Sequence, residues 1–309
     1  MSAPCPICRS PRTRPVVPVG GVVLRGCRSC GAAFVWPRPD RAAVQEAAER
    51  SAAKRLRRER TRGVLDRITE QNRHLLDYLD RHGCSGSLLD IGCGRGLLLA
   101  DARARGWTAM GVEPVPGAAE EGVAERGLDI RVGTLESVAL PPASFDAAVF
   151  SHSLEHFIDP AGAMKTAARL VKPGGWIYVE TPNWGSLSRR LLGRRWWNVD
   201  PANHPFLFSP RAVELMGRSA GLEMRDSWGT HFDLAAVLIR LARFADPALN
   251  DIAGINEWRD RLFRIRGAWR ASRIAEAVAG ALLGRGFLND YMACWFRRPS
   301  PPPAGEIPS

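Results

Sequence analysis

The chain has 309 residues and 45% apolar residues, enough for one large α/β domain with a real core plus a small module. No apolar run reaches the roughly 20 residues of a spanning helix: the nearest, 234–245, carries Arg240 and Arg243. Cys5 and Cys8 stand where a secretory leader needs an apolar stretch, so a soluble cytoplasmic protein is expected. The net charge of +11 admits nucleic acid, an anionic membrane or an anionic substrate as partner. Only Lys54, Lys165 and Lys172 are lysines, however, and arginine dominance beside abundant Ala and Gly is the compositional mark of a GC-rich genome, which discounts the nucleic-acid reading.

In chain order, residues 1–40 hold Cys5-Pro6-Ile7-Cys8 and Cys27-Arg28-Ser29-Cys30 among many prolines. Each pair offers two thiolates on a tight turn, and together they form the four-sulfur shell that Zn²⁺ prefers. All four positions are filled and none is left for a reacting water, so a structural zinc bound by Cys5, Cys8, Cys27 and Cys30 is expected in a ribbon too small to hold a core alone. The other three cysteines, Cys84, Cys93 and Cys294, are scattered, as in a reducing compartment. Residues 41–83 read as a helical linker or cap, with Val64, Leu65, Ile68, Leu75, Leu76 and Leu79 at near-helical spacing.

From Ser87 strands and helices alternate through residues 84–298. Strands are predicted at Ser87–Ile91, Thr108–Val112, Asp129–Val132, Phe145–Phe150, Trp176–Glu180, Leu222–Trp228 and Phe287–Phe296. Helices are predicted at Gly96–Arg105, Pro116–Arg126 and Pro160–Val171, the last stopped by Pro173-Gly174-Gly175. A further helix, Ser209–Ala220, has Ser209 as N-cap and Pro210 in its first turn. The expected fold is α/β: a Rossmann-like sheet of seven strands with helices on both faces, plus the small N-terminal zinc ribbon. Residues 231–286 read as an apolar, arginine-rich helical insertion. It would serve as a lid over the acceptor, a dimer surface or a face on an anionic membrane, or simply add core packing. The Pro-rich tail 299–309 is expected to be disordered.

The strongest local signal is Leu88-Leu89-Asp90-Ile91-Gly92-Cys93-Gly94-Arg95-Gly96, a strand, a glycine loop and a helix start. Its third glycine comes one position too early for a dinucleotide fingerprint, and Asp90 stands where a carboxylate would repel a pyrophosphate. Asp90 instead suits a cationic amine, such as the methionine end of S-adenosylmethionine. Glu113, ending the second strand, can take both ribose hydroxyls. Gly92, Gly94 and Gly96 let a ligand lie against the backbone.

With these motifs in hand, residues 88–181 resemble a class I S-adenosylmethionine-dependent methyltransferase of the group that includes the ubiquinone-biosynthesis O-methyltransferases. Gly133-Thr134-Leu135-Glu136 followed by Ser144-Phe145-Asp146 is similar to the family's adenine-side loop and fourth strand. Ser153-Leu154-Glu155-His156 and Glu180-Thr181-Pro182-Asn183 are similar to its later motifs. The resemblance implies cofactor contacts at Leu135, Glu136 and Ser151. Thr134 replaces an Asp common in the family, which moves the adenine contact to the Leu135 backbone and Glu136. Phe34-Val35-Trp36-Pro37-Arg38-Pro39 resembles ribbon-linked bacterial methyltransferases of glycan or secondary metabolism.

Methyl transfer to a hydroxyl needs an in-line approach and a base. His152 and His156, after the fourth strand, are candidates for that base. With Glu155 they would alternatively hold a divalent metal, as similar clusters do in relatives, or merely brace the next helix. His204, before the Ser209 helix, would line an acceptor pocket together with Trp184, Trp196 and Trp197, or these aromatics would pack the cap. The expected activity is methylation, at oxygen, of a small-molecule, sugar or glycolipid acceptor. The alternative is an RNA methyltransferase using the ribbon and basic surface, against which stands the lack of an Asn/Asp-Pro-Pro-aromatic motif after the fourth strand.

Overall fold

The computed structural model describes residues 3–19, 21–59, 62–231 and 289–300. All of the expected insertion except His231, and the tail beyond residue 300, lie outside these residues. Among them, no helix is long and apolar enough to cross a membrane. The chain divides into two compact units: residues 1–38 group with 182–212 and 227–293, while 39–181, 213–226 and 294–309 form the other unit.

The larger unit is built on a seven-stranded sheet. Its strands are β4 (Ser87–Ile91), β5 (Thr108–Glu113), β6 (Asp129–Val132), β7 (Phe145–Ser151), β8 (Val171–Pro182), β10 (Glu223–His231) and β11 (Tyr291–Arg297), in the order β10-β11-β8-β7-β4-β5-β6. β4 pairs in parallel with both β5 and β7, so the strand order reverses there, and open sheets of this kind bind ligands at the carboxyl ends of the strands at such a point. Leu88, Leu89 and Ile91 of β4 and Ala147–Phe150 of β7 are all buried, the continuous apolar runs of strands covered on both faces.

Helix α2 (Arg62–Arg81) buries Leu75, Leu76, Tyr78 and Leu79. The Tyr78 ring stacks on Trp295 at 3.9 Å, and its hydroxyl donates to Asp226. Helix α1 (Arg41–Glu59) lays Ala52 against Val115 and Ala118, and Gln45 Nε2 donates to the Pro114 carbonyl at 3.1 Å. The predicted cap therefore lies on the chain just beyond β5. Helices α3 (Leu97–Ala104), α4 (Pro116–Arg126) and α5 (Pro160–Leu170) follow β4, β5 and β7. Asp159 caps α5 by accepting the Gly162 N–H at 3.0 Å.

Pro173-Gly174-Gly175 ends no helix; α5 stops at Leu170, and the three residues form an irregular start of β8. Val171 pairs with Phe145 and Trp176 with Ala147, so β8 bulges there. Gly174 takes a φ of 78°, and a Cβ on Gly175 would lie 2.7 Å from the Asp146 carbonyl.

The smaller unit holds β1 (Thr13–Val19), β2 (Val22–Cys27), β3 (Ala33–Trp36) and β9 (Phe206–Leu207) in one sheet of that order, with helix α6 (Leu187–Leu192). Its core joins Val17, Leu24, Ala33 and Val35 of the ribbon to Trp184, Leu192, Trp196 and Leu207. The ribbon strands and the β9 pairing carry no period-2 signature of their own, which is why composition marked only the cysteine turns.

Helix α7 (Pro210–Ser219) begins after Ser209, whose hydroxyl accepts the Ala212 N–H at 3.2 Å. On α7, a Cβ at Gly217 would lie 2.1 Å from Cε1 of the buried Phe296 ring. Helix propensity favours alanine by about 1 kcal/mol, but overpacking against a rigid ring costs about 1–3 kcal/mol. Gly217→Ala is expected to lower the melting temperature by a few degrees in scanning calorimetry; an unchanged or higher midpoint would contradict this contact.

Candidate functional site

The glycine loop leaves β4 with Gly92, Gly94 and Gly96 at φ of 78°, 56° and 76°, values in the left-handed region that glycine occupies without strain. Each neighbour explains its glycine. A Cβ at Gly92 would meet Ser153 Cβ at 2.7 Å, and one at Gly96 would meet Leu128 Cδ1 at 2.5 Å. At Gly94 nothing lies within 4 Å, so the loop presents bare backbone to open space there, a cradle that suits a bound ligand. The loop also sits close to α4, since a Cβ on Gly122 would be 2.6 Å from the Arg95 carbonyl.

Asp90 and Glu113, from adjacent parallel strands, are both buried. Glu113 Oε2 accepts the Gly94 N–H at 2.8 Å and Oε1 the Val115 N–H at 3.0 Å, so this carboxylate ties the glycine loop to the end of β5. Burial, and then the nearby Glu113 charge, push the Asp90 carboxyl up to about 7. Ser151 ends β7 opposite Glu180, half-buried. Leu135 is buried in the turn after β6, while Glu136 is exposed beside it.

His152 follows β7 with a φ of 54°, and its N–H donates to the Glu180 carbonyl at 2.8 Å. Its Nδ1 is 3.9 Å from Oε1 of Glu155, whose Oε2 accepts the Thr181 hydroxyl at 3.0 Å. Leu154–His156 form a short 3₁₀ turn. The quoted motifs hold two buried groups to which the sequence assigns no role. Glu180 Oε2 accepts the Tyr178 hydroxyl at 2.9 Å, but its Oε1 has no hydrogen-bond partner, and neither has Ser153 Oγ beside the glycine loop. Their sequence signal is membership of those motifs, near or just past the carboxyl ends of β8 and β7.

His204 belongs to the smaller unit. Its Nδ1 lies 2.8 Å from the Asn198 carbonyl, and its N–H donates to Asp200 at 2.7 Å. A carbonyl only accepts, so Nδ1 carries the proton and Nε2 is the proton-accepting nitrogen of the neutral ring. Trp184 and Trp196 are core residues of this unit, with Trp197 packed against them, so these aromatics hold the fold.

In the ribbon, the thiol sulfurs of Cys5, Cys8, Cys27 and Cys30 all lie within 4.8 Å of one another. Sγ–Sγ separations are 3.6 Å for Cys5–Cys30 and 3.5 Å for Cys8–Cys27. A tetrahedron of sulfurs at the Zn–S bond length has edges of about 3.8 Å, so the set fits zinc. The two turns repeat one pattern: Arg9 and Gly31, at φ of 57° and 77°, donate to the carbonyls of Cys5 and Cys27. Hydrogen bonding with Cys30 lowers the Cys5 thiol to about 5, while the same contact and burial raise the Cys30 thiol, so the metal-free pair shares one proton.

A family model described as a methyltransferase domain matches residues 56–227, more than half of the chain. The chain belongs to this methyltransferase family. It is an S-adenosylmethionine-dependent methyltransferase, and relatives agree. It is similar to the ubiquinone biosynthesis O-methyltransferase of Chromobacterium violaceum, 34% identical over 180 residues that span 54% of this chain and 78% of the relative. The Aeromonas salmonicida enzyme of the same name is 29% identical over 52% of this chain and 72% of its own. Among solved structures, S-adenosylmethionine-dependent methyltransferases of Thermotoga maritima (TM-score 0.53, 19% identity, 82% of this chain and 99% of that one) and Archaeoglobus fulgidus (0.52, 21%, 78% and 98%) share the fold.

Because folding raises the Asp90 pKa above its ordinary 3.8, its neutral form favours the fold below that value, and this stability is lost as pH rises through about 7. Asp90→Asn should therefore be more stable than the ligand-free parent at pH 8, with the gap closing toward pH 4. Urea unfolding at the two pH values tests this; a gap that does not change with pH would contradict the buried-acid assignment.

Proposed function

We propose that this methyltransferase acts at a hydroxyl of a small-molecule, sugar or glycolipid acceptor, with His152, His156 and His204 as the candidate groups for the acceptor's proton. The observation that carries the reading is the buried Asp90, pushed up to about 7 beside the bare Gly94 backbone, where a cationic amine suits it. When bound, S-adenosylmethionine supplies the electrophilic methyl group. Asp90 would hold its amine as a counter-charge, and Glu113 would receive the ribose hydroxyls while bracing Gly94. The Gly92–Gly96 backbone would line the cofactor, Leu135 and Glu136 would bound the adenine, and Ser151 would close the β7 side. The ribbon is proposed to bind one structural zinc through Cys5, Cys8, Cys27 and Cys30.

A second reading, an RNA acceptor, is favoured by one feature: residues 1–39 contain six arginines and no acidic residue. Transfer of labelled methyl to extracted small-molecule, lipid, glycan and RNA fractions separates the two. Label in a small-molecule, lipid or glycan fraction supports the first, and its loss by at least about a hundredfold in one of His152→Ala, His156→Ala and His204→Ala identifies the base; label confined to RNA, with steep salt dependence, overturns it.

Metal analysis of freshly isolated, unchelated protein is expected to find about one zinc per chain. Cys27→Ser should reduce this strongly, and protein without zinc would end the ribbon assignment.

A further inference from the structure

Three strand-end carboxylates share one face of the seven-stranded sheet. Asp90 pairs with Val149 and Val149 with Tyr178, while Ser151 pairs with Glu180. Paired residues of parallel strands point to the same side, and so do residues two apart along one strand. Asp90 of β4, Ser151 of β7 and Glu180 of β8 therefore project from one face, and Glu113, two residues beyond the Asp90 partner Gly111, joins them. Asp90 and Glu113 are the acids assigned above to the cofactor's amine and ribose. Glu180 has no such assignment. It stands two strands from β4, on the side away from β5, and two strand spacings amount to about 10 Å. A small molecule beside the cofactor's methionine end spans that distance.

Glu180 is 2% exposed. Its Oε2 accepts the Tyr178 hydroxyl at 2.9 Å, and its carbonyl accepts the His152 N–H at 2.8 Å, so its backbone and one oxygen are fixed. The Tyr178 ring lies 4.5 Å from the ring of the buried Trp295, which holds that hydroxyl in place. Burial, and then the Glu180 charge, raise the Tyr178 hydroxyl well above its ordinary range, so it stays a donor. Oε1 is left with no hydrogen-bond partner and no access to water. A buried carboxylate in this state is unfavourable, and a cation offsets its charge where a neutral hydroxyl adds only one more hydrogen bond. The buried cation among the described residues, Arg95, pairs with Glu121 at 2.8 Å. Among the described residues none supplies Glu180 with a positive charge.

We propose that Glu180 binds an ammonium group of the acceptor: the substrate is an amino-bearing small molecule such as an amino sugar, anchored by its amine and methylated at a neighbouring hydroxyl. Glu180 is then a specificity-determining residue, and Tyr178 is a positioning residue that fixes its carboxylate. The amine reaches a group shut off from water, as the cofactor's amine must reach the buried Asp90. The inference rests on the hydroxyl-acceptor reading and on the placement of the cofactor at Asp90 and Glu113.

The test uses the full chain and labelled S-adenosylmethionine with small-molecule, lipid and glycan fractions. Each fraction is used as extracted and after N-acetylation in aqueous bicarbonate, which removes the charge of amines and leaves hydroxyls. Labelled product is expected to be retained on a cation exchanger, and prior N-acetylation should lower labelling at least about tenfold, as loss of a charged hydrogen bond does. Glu180→Gln should raise KM for the acceptor purified from that fraction at least about tenfold, with a smaller change in kcat. Its S-adenosylhomocysteine affinity should stay within about twofold of the parent's, which also shows that it folds. Tyr178→Phe, which keeps the carboxylate, should raise KM less. The N-acetylation arm uses the unaltered chain and decides the matter even where Glu180→Gln does not fold. Labelled product without an amine, formed equally after N-acetylation, overturns the proposal and leaves the hydroxyl reading standing. An unchanged KM in Glu180→Gln overturns it as well, and so does loss of S-adenosylhomocysteine affinity by a folded Glu180→Gln, which would place Glu180 at the cofactor. Label on the nitrogen itself, located by mass spectrometry, overturns the hydroxyl reading and keeps the amine at Glu180. Label confined to RNA overturns both.

Discussion

Burying two carboxylates on neighbouring strands is the constraint around which the larger unit is arranged. Asp90 and Glu113 leave water at the ends of β4 and β5, and their charges disfavour one another. Glu113 offsets its share with two backbone N–H donors, from Gly94 and Val115. Those bonds hold the glycine loop open and tie it to β5. Among the described residues Asp90 has no such compensation and rises to about 7, which makes it ready for a cationic group. Much else serves this arrangement. The strand order reverses at β4, Gly122 lets α4 approach the loop, and α1 covers the chain after Glu113.

The smaller unit solves a different problem. A ribbon of fewer than forty residues buries too little apolar surface to fold by itself. Four thiols close its two turns, and the remaining deficit is met by sharing a core with Trp184, Trp196 and Leu207. The consequence is that residues distant in sequence, 30–35 and 205–209, form one sheet edge. The tryptophans, which as bare residues fit an acceptor pocket equally well, are used for this shared core.

The larger unit was readable because parallel βα units announce themselves locally. Strands buried on both faces give unbroken apolar runs, and helices give Pro, Asp and Ser at their starts, as at Asp159-Pro160 and Ser209-Pro210. Glycine spacing marked the loop because only particular backbone turns need three residues without a side chain. The misplaced feature, Pro173-Gly174-Gly175, was read as a stop because these residues usually end helices; here the same backbone freedom makes a bulge against β7.

The sequence by itself determined the glycine loop, the two strand-end acids and the thiol set, because each is written in residues a few positions apart whose chemistry is intrinsic: glycines that turn, acids at strand ends, paired cysteines. Tertiary structure decided the rest. That the ribbon completes its sheet with β9, that Glu113 spends both oxygens on backbone donors, that Glu180 is buried with an unpartnered oxygen and that Asn198 selects the tautomer of His204 all depend on atoms brought together across long stretches of chain. Such contacts leave no periodicity in the residues that make them, since hydrogen bonding and burial are properties of the neighbours a side chain acquires and not of the side chain alone.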